Sequence, residues 1–242
     1  MRHPGQATDP TRIWRLAALL AAGFAAMRVV GVLNTSFRWL LPLGFVLMAL
    51  TPFLLLDAPR RRDIGLKAPA TLRIFATAIV AGAAAAFACF AIGTALFGPG
   101  VDNWFVTIGN TYRQMIDTTG WPMARLHLFF TVPAILFSPI GEEIFFRGYL
   151  QHALEQRFST QTSTLAECAA FGAIHICHHG LLLTASGLTV RPLSGSIWML
   201  LMFATAMLFA YLRKTSGSLL PAIVAHAVFN LVMNATIFEF LW

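Results

Sequence analysis

Two adjacent carboxylates in an apolar segment are the first feature of this sequence that could do chemistry. The stretch SPIGEEIFFRGYL, residues 138–150, places Glu142, Glu143 and Arg147 among phenylalanines. Two more polar sets follow in apolar segments: His175 in FGAIHICHHG, and the pair in HAVFNLV that begins at residue 226. Polar and charged side chains are costly inside a membrane helix and usually face its bundle interior, so these three sets indicate function.

Helical spacing gives the two glutamates different partners. Glu143 and Arg147 are four residues apart on one helix face and can form an ion pair, whereas Glu142 points about 100° away. We therefore expect Glu143 and Arg147 to hold the helix and Glu142 to remain free for chemistry. Pro139 removes a backbone donor and predicts a kink that could admit water.

Peptide hydrolysis by water needs a base, a group that positions the water, and donors to the developing oxyanion. Glu142 is the candidate base, because a carboxylate in a low-dielectric cavity suits that role, and His175 would hold the same water. His226 and Asn230, four apart on one face, would donate to the oxyanion. At about 1.5 Å per residue, the three sets lie roughly 14–22 Å from one end of their helices and could meet in one cavity.

Zinc is an open alternative for the same side chains. It accepts glutamate oxygen and histidine nitrogen, and its ligands would be Glu142, His175 and His226. The chain has no HExxH motif, and the two histidines belong to different predicted helices. We therefore favour no cofactor and keep zinc as possible.

The composition indicates a membrane protein. Of the 242 residues, 57% are hydrophobic and 11% charged, against roughly 25% charged in a typical soluble domain. We predict one all-α integral membrane domain over 1–242, with a motif-bearing catalytic core at 125–240. A further short or re-entrant helix within 180–200 would raise the number of spans from seven to eight. The seven apolar windows are 12–34, 40–56, 73–97, 124–145 with a possible extension to about 157, 163–183, 195–213 and 217–241.

The basic residues sort by side of the membrane. With the N-terminus in the cytoplasm, eleven of the 17 lysines and arginines fall on the inner side and four on the outer side, with Arg28 and Arg147 inside the membrane. The net charge of +7 therefore reflects topology and excludes nucleic acid as a partner. We expect Arg28 to snorkel to the outer interface. His178 and His179 are expected at that interface too.

The three motifs together resemble a known family. EExxxR (142–147), FxxxH (171–175) and HxxxN (226–230) stand in the order typical of the CPBP family of intramembrane proteases, the CAAX-protease and bacteriocin-processing family. That family includes the eukaryotic type II CAAX prenyl endopeptidase. The resemblance covers about 125–240, roughly half the chain, and all three motifs are intact at their defining positions.

The resemblance implies an intramembrane endopeptidase. Glu142 and His175 would activate water and His226 with Asn230 would form the oxyanion hole, with Phe171 in a supporting position beside the 143–147 pair. Family names often say metalloprotease, but a glutamate mechanism without metal is also argued for the family, and we favour it. The expected partners are a peptide or membrane-protein substrate and the lipid bilayer, in a bacterial cytoplasmic membrane.

Two other functions could use the same polar and charged residues. A proton-coupled transporter could employ the carboxylates and histidines as a relay, but it predicts inverted repeats that the sequence does not display. A non-catalytic immunity or partner protein would bind a peptide or another membrane protein without cleaving it. Solute uptake that is unaffected by Glu142→Gln would remove the motivation for a transporter, whereas a Glu142→Ala variant with the full cellular phenotype would favour the non-catalytic protein.

Overall fold

The computed structural model describes residues 10–184 and 187–242. Residues 1–9, with Arg2 of the predicted inner side, and residues 185–186 of the TASG stretch lie outside the described residues. In chain order the helices are α1 (Pro10–Leu33), α2 (Leu40–Leu55), α3 (Ala58–Asp63), α4 (Arg73–Phe97), α5 (Trp104–Met115), α6 (Met123–Leu126), α7 (Val132–Glu142), α8 (Gln151–Glu155), α9 (Thr160–Ile174), α10 (Ile176–His179), α11 (Pro192–Ser216) and α12 (Leu220–Phe240).

Six helices in the described ranges are long and apolar enough to cross a membrane, so this is an integral membrane protein with fewer long spans than the predicted seven or eight. One of them, the long helix Met123–Glu155, joins α6, α7 and α8 through two π-helical segments, His127–Thr131 and Glu143–Leu150. The six candidate spans are Arg12–Leu33, Thr35–Leu55, Arg73–Phe97, Met123–Glu155, Pro192–Ser216 and Leu220–Phe240.

The predicted window at 163–183 is not a single span. Helix α9 has 15 residues and ends before His175, where the short α10 begins. The His175 ring bonds the carbonyl of Phe171 at 2.7 Å, and the backbone N–H of His175 turns to Gly172 instead of taking that carbonyl. A side chain therefore competes for the acceptor that would continue the helix.

A hairpin replaces the short helix expected within 180–200, which corrects the all-α prediction at this one place. Strand β1 (Leu181–Thr184) pairs antiparallel with β2 (Gly187–Val190), with Leu181 opposite Val190. Gly187 has a φ of 113°, a conformation that glycine adopts without steric cost. Pro192 then starts α11, where a missing N–H is tolerated.

The lysines and arginines that the sequence analysis assigns to the inner side, within the described ranges, lie at one end of the bundle. We call this end the basic end. There the turn before α12 docks on the loop after α3, with the N–H of Leu219 donating to the carbonyl of Gly65 at 2.9 Å. Arg213 reaches the carbonyl of Ile64 at 3.4 Å in the same region. Trp14, near the start of α1, contacts Phe158 with ring centroids 5.9 Å apart.

Helix α5 and the hairpin lie at the opposite end. His179 of α10 bonds Thr107 of α5 at 3.0 Å, whereas Thr164 of α9 bonds Gln151 near the basic end at 3.2 Å. The α9–α10 segment therefore runs from one end of the bundle to the other, although it is broken and shorter than a regular span.

Small residues allow the helices to approach closely, as is typical of membrane bundles. A Cβ on Gly82 of α4 would lie 2.2 Å from the carbonyl oxygen of Ala225 on α12. One on Gly141 of α7 would lie 2.4 Å from the carbonyl oxygen of Phe45 on α2. The close approach at Gly141 holds the end of α7, and with it the two glutamates that follow, against α2.

Candidate active site

Irregular stretches of helix carry two of the three predicted polar sets. Glu142 ends α7 and Glu143 begins the π-helical segment, four residues after Pro139, whose ring interrupts the regular hydrogen-bond ladder. His175 sits at the break between α9 and α10. Such interruptions frequently mark functional sites. The third set, His226 and Asn230, lies on the regular helix α12.

The carboxylate of Glu142 is enclosed by three side chains. Its Oε1 forms an ion pair with the guanidinium of Arg28 on α1, and its Oε2 accepts a hydrogen bond from Ser138 at 3.2 Å. The Nε2 nitrogen of His226 lies 3.6 Å from the same Oε2. Glu142 retains 1% of its exposure and Arg28 4%. The expectation that Arg28 snorkels to the outer interface is therefore wrong, because the arginine finds a buried carboxylate to pair with instead.

Glu143 has a different set of partners, as the helical spacing predicts. Its Oε2 lies 3.3 Å from Nε of Arg147, which confirms the predicted ion pair. Arg147 also lies 3.7 Å from Oε2 of Glu167 on α9, and its guanidinium stands 4.1 Å above the ring of Phe171. These charged side chains are completely buried, so the guanidinium shared by two carboxylates fastens the long helix to α9.

Glu143 also orients His226, which the sequence did not predict. The Nδ1 nitrogen of His226 lies 2.8 Å from Oε1 of Glu143, so this nitrogen donates to the carboxylate. The imidazole stacks on Phe209, with ring centroids 5.0 Å apart and planes inclined by 19°. A carboxylate on one ring nitrogen fixes the position and tautomer of the other, here the Nε2 that faces Glu142.

His175 is oriented through its backbone bond to Phe171. With Nδ1 engaged by that carbonyl, Nε2 is the nitrogen left to bind a water or substrate. The ring of Phe171 lies 4.5 Å from that of His175 and 5.9 Å from that of His226, so the phenylalanine separates and aligns the two imidazoles. Phe171 thus has a definite packing role at the centre of the site.

Asn230 faces the same space one helical turn from His226. Its Nδ2 donates to the carbonyl of Ala134 on α7 at 2.9 Å, which leaves the second N–H of the amide for another acceptor. The bond also ties α12 to the helix that carries the glutamates.

A cavity of about 220 Å³ joins these side chains. His175, His226 and Asn230 line it, so the second and third predicted sets meet in one space, and the first set adjoins that space through the contacts of Glu142 and Glu143 with His226. Arg28 and Ser138 line it as well, whereas Glu142 stands behind them and is not part of the wall. The rest of the wall is mostly apolar, and α5 covers it with Ile108, Thr111, Tyr112 and Met115.

The alternative zinc ligands are not arranged to hold a metal. Within residues 10–184 and 187–242, no three His, Cys, Asp or Glu side chains form a group that could bind one. Arg28 occupies Oε1 of Glu142, and a guanidinium at that position opposes a divalent cation. The Nδ1 atoms of His175 and His226 are both engaged by protein acceptors.

Three residues of this region went unnoticed or were misjudged in the sequence. Glu167 and Arg28 are charged residues within apolar windows, so the rule that selected Glu142 also applies to them. His179 is buried and bonds Ser194 at 2.8 Å in addition to Thr107, a burial that the sequence did not predict, whereas its position at the outer interface stays a prediction. Its polar neighbours at the end of α10 satisfy both ring nitrogens in the interior.

Comparison with known proteins identifies the part of the chain that holds all three motifs. No curated protein and no solved structure matches the chain. Residues 124–232 match the family model described as type II CAAX prenyl endopeptidase, Rce1-like, and the chain carries a domain of that family.

Proposed function

We propose that this protein is an intramembrane endopeptidase in which Glu142 activates a water molecule for attack on a peptide bond. Membership of the family implies peptidase activity and a peptide substrate. The observation that carries the mechanism is the position of Glu142, 3.6 Å from a histidine that is itself held by the neighbouring glutamate.

The proposed first step is proton transfer from water to Glu142. Water oxygen attacks the carbonyl carbon of the scissile bond while its proton passes to the carboxylate, and the carbonyl becomes an oxyanion. His175, whose Nε2 is available, holds this water in the direction of attack. The apolar wall keeps other water away, which strengthens each electrostatic interaction in the cavity.

His226 and Asn230 receive the oxyanion in this mechanism. Asn230 contributes the amide N–H not used by Ala134. His226 can donate through Nε2 only in its doubly protonated form, because Nδ1 already donates to Glu143. The carboxylate of Glu143 stabilises that imidazolium, so Glu143 assists the site as well as pairing with Arg147.

The second step breaks the C–N bond. The proton held by Glu142 passes to the leaving amine nitrogen, the tetrahedral intermediate collapses to a carboxylic acid, and Glu142 returns to its starting form. No covalent bond to the protein and no external oxidant or reductant is needed.

The topology is part of the proposal. The N-terminus lies in the cytoplasm, since the segments rich in lysine and arginine meet at the basic end. The candidate site then lies within the membrane, with its cavity extending toward Arg38 and α5 at the outer end.

Cleavage of a peptide library by detergent-purified protein tests the proposal. Mass spectrometry of the products should find cleavage with the wild type and with Cys89→Ala, a control that alters a buried residue of α4 that does not line the cavity. His226→Ala and Asn230→Ala should each reduce kcat by about 10²–10³, as does loss of an oxyanion donor elsewhere. Activity that disappears with phenanthroline and returns with zinc would contradict the metal-independent mechanism.

A further inference from the structure

Arg28 is a buried cation outside the part of the chain that matches the family. It lies on α1, five residues before the helix ends at Leu33, and its guanidinium packs over the ring of Phe45 at 5.2 Å. A long side chain near a helix end would ordinarily extend to the interface. Here it turns inward to the carboxylate of Glu142.

This contact stands between the cavity and Glu142. Arg28 and Ser138 belong to the cavity wall, whereas Glu142 does not. Both carboxylate oxygens are engaged, one by Arg28 and one by Ser138. A water molecule in the cavity that is to lose its proton to Glu142 must therefore pass the side chains in the wall that cover this carboxylate.

The other charged side chains near Glu142 pair with one another and not with Arg28. Arg147 serves Glu143 and Glu167, and His226 is bonded to Glu143. Among the ion pairs of the described ranges, Arg28 is the only arginine or lysine paired with Glu142, and Glu142 is its only carboxylate. Glu142 meets the rest of the charged cluster only through His226, whose Nε2 lies 3.6 Å from its Oε2, so Arg28 can leave Glu142 without breaking the bonds of Glu143 to Arg147 and His226.

We propose that Arg28 is a positioning residue that latches Glu142 in a closed resting state and must move aside before water reaches the carboxylate. The need for release rests on the proposed function, whereas the latch itself is a property of the resting protein. A buried ion pair holds its carboxylate charged and covered, and loss of the cation leaves an unpaired group that the interior disfavours.

A hydrophobic carbodiimide tests the latch without any substrate. This reagent adds to the O–H of a protonated carboxyl group across its N=C bond, and no group leaves. Labelling of Glu142, located by peptide mass spectrometry, should be low in the wild type and several-fold higher in Arg28→Gln. Arg28→Lys, which keeps the cation, should remain close to the wild type.

Ser138→Ala is the matched control, because it removes the other contact of Glu142 and leaves Arg28 in place. Its labelling should stay well below that of Arg28→Gln. Equal labelling of wild type and Arg28→Gln would overturn the proposal, and so would equal labelling of Ser138→Ala and Arg28→Gln. If Arg28→Gln does not fold, Phe45→Leu replaces it, because loss of the ring that supports Arg28 should also raise the labelling of Glu142. Unchanged labelling in Phe45→Leu would count against the latch.

The labelling experiment and the cleavage experiment can succeed or fail independently of each other. A protein that cleaves no peptide but shows the predicted labelling would retain the latch and lose the peptidase assignment. A protein that cleaves peptides and labels equally with and without Arg28 would retain the peptidase assignment and lose the latch.

Discussion

Replacing Arg147 by methionine should destabilise the bundle more than any other single change in the charged cluster. Its Nε lies 3.3 Å from Glu143 and 3.7 Å from Glu167, so at an effective dielectric constant of about 20 each pair contributes roughly 5 kcal/mol of Coulomb energy before desolvation. Removing one partner of a buried ion pair costs about 3–5 kcal/mol, since the remaining charges stay buried. At about 2–4 °C per kcal/mol for a chain of this size, Arg147→Met should lower Tm by roughly 6–20 °C.

A second substitution separates this explanation from simple loss of packing. Adding Glu167→Gln to Arg147→Met removes one uncompensated carboxylate and leaves Glu143 with His226. We expect the double variant to recover about 1–2 kcal/mol, in the range usual for coupled residues of one network. In the wild-type background Glu167→Gln alone should instead destabilise.

The three cysteines provide the assay. Cys89, Cys168 and Cys177 are free and buried, so a thiol-reactive dye becomes fluorescent only as the protein unfolds. Thermal ramps in one detergent give Tm for the four proteins. If Glu167→Gln lowered Tm as much beside Arg147→Met as it does alone, the charge network would not explain the stability.

Two further predictions concern helix contacts. Gly82→Ala should lower Tm clearly, because its Cβ would lie 2.2 Å from the carbonyl oxygen of Ala225. Gly23→Ala is the control and should leave Tm nearly unchanged, since a Cβ there would have no atom within 4 Å. Similar losses of Tm in both variants would contradict the close crossing of α4 and α12. Tyr112→Phe should increase hydrogen exchange in α5, because the hydroxyl donates to Asn234 at 2.9 Å, a bond worth about 1 kcal/mol. Burial raises the pKa of Tyr112, so its hydroxyl remains a donor at neutral pH, and unchanged exchange in α5 would show that this bond does not hold the helix.

Local spacing accounts for what the sequence could predict. The window 73–97 coincides with α4, because its apolar run ends at Gly98, whose φ of 58° stops the helix. The ion pair between Glu143 and Arg147 follows from a separation of four residues. The proximity of the three motifs follows from their similar depth in the bundle, although the two glutamates and Arg147 stand outside the cavity wall.

Contacts between distant helices account for most of what the sequence could not predict. Nothing in the order of residues shows that α1 passes close enough to α7 for Arg28 to reach Glu142, or that Nδ1 of His226 takes the second glutamate. The break at His175 was missed for another reason. Hydropathy reports only that the window is apolar, whereas the helix ends because a ring nitrogen takes the carbonyl of Phe171.

The organisation of the chain as one domain over 1–242 stays a prediction, and so do the roles of individual site residues. The core predicted at 125–240 overlaps the family match at 124–232. The first three long helices lie outside that match, yet α1 supplies Arg28 and α2 supplies Phe45 to the site. A truncated protein that begins at residue 124 should therefore lack a complete cavity.

The most direct test of the central claim compares Glu142→Gln with the wild type in both cleavage and Tm. The amide keeps the shape of the side chain but cannot take a proton from water. We expect cleavage of the peptide library by the wild type, no detectable cleavage by Glu142→Gln, and a Glu142→Gln protein that still unfolds cooperatively. Cleavage by Glu142→Gln at the wild-type rate would contradict the assignment of Glu142 as the base.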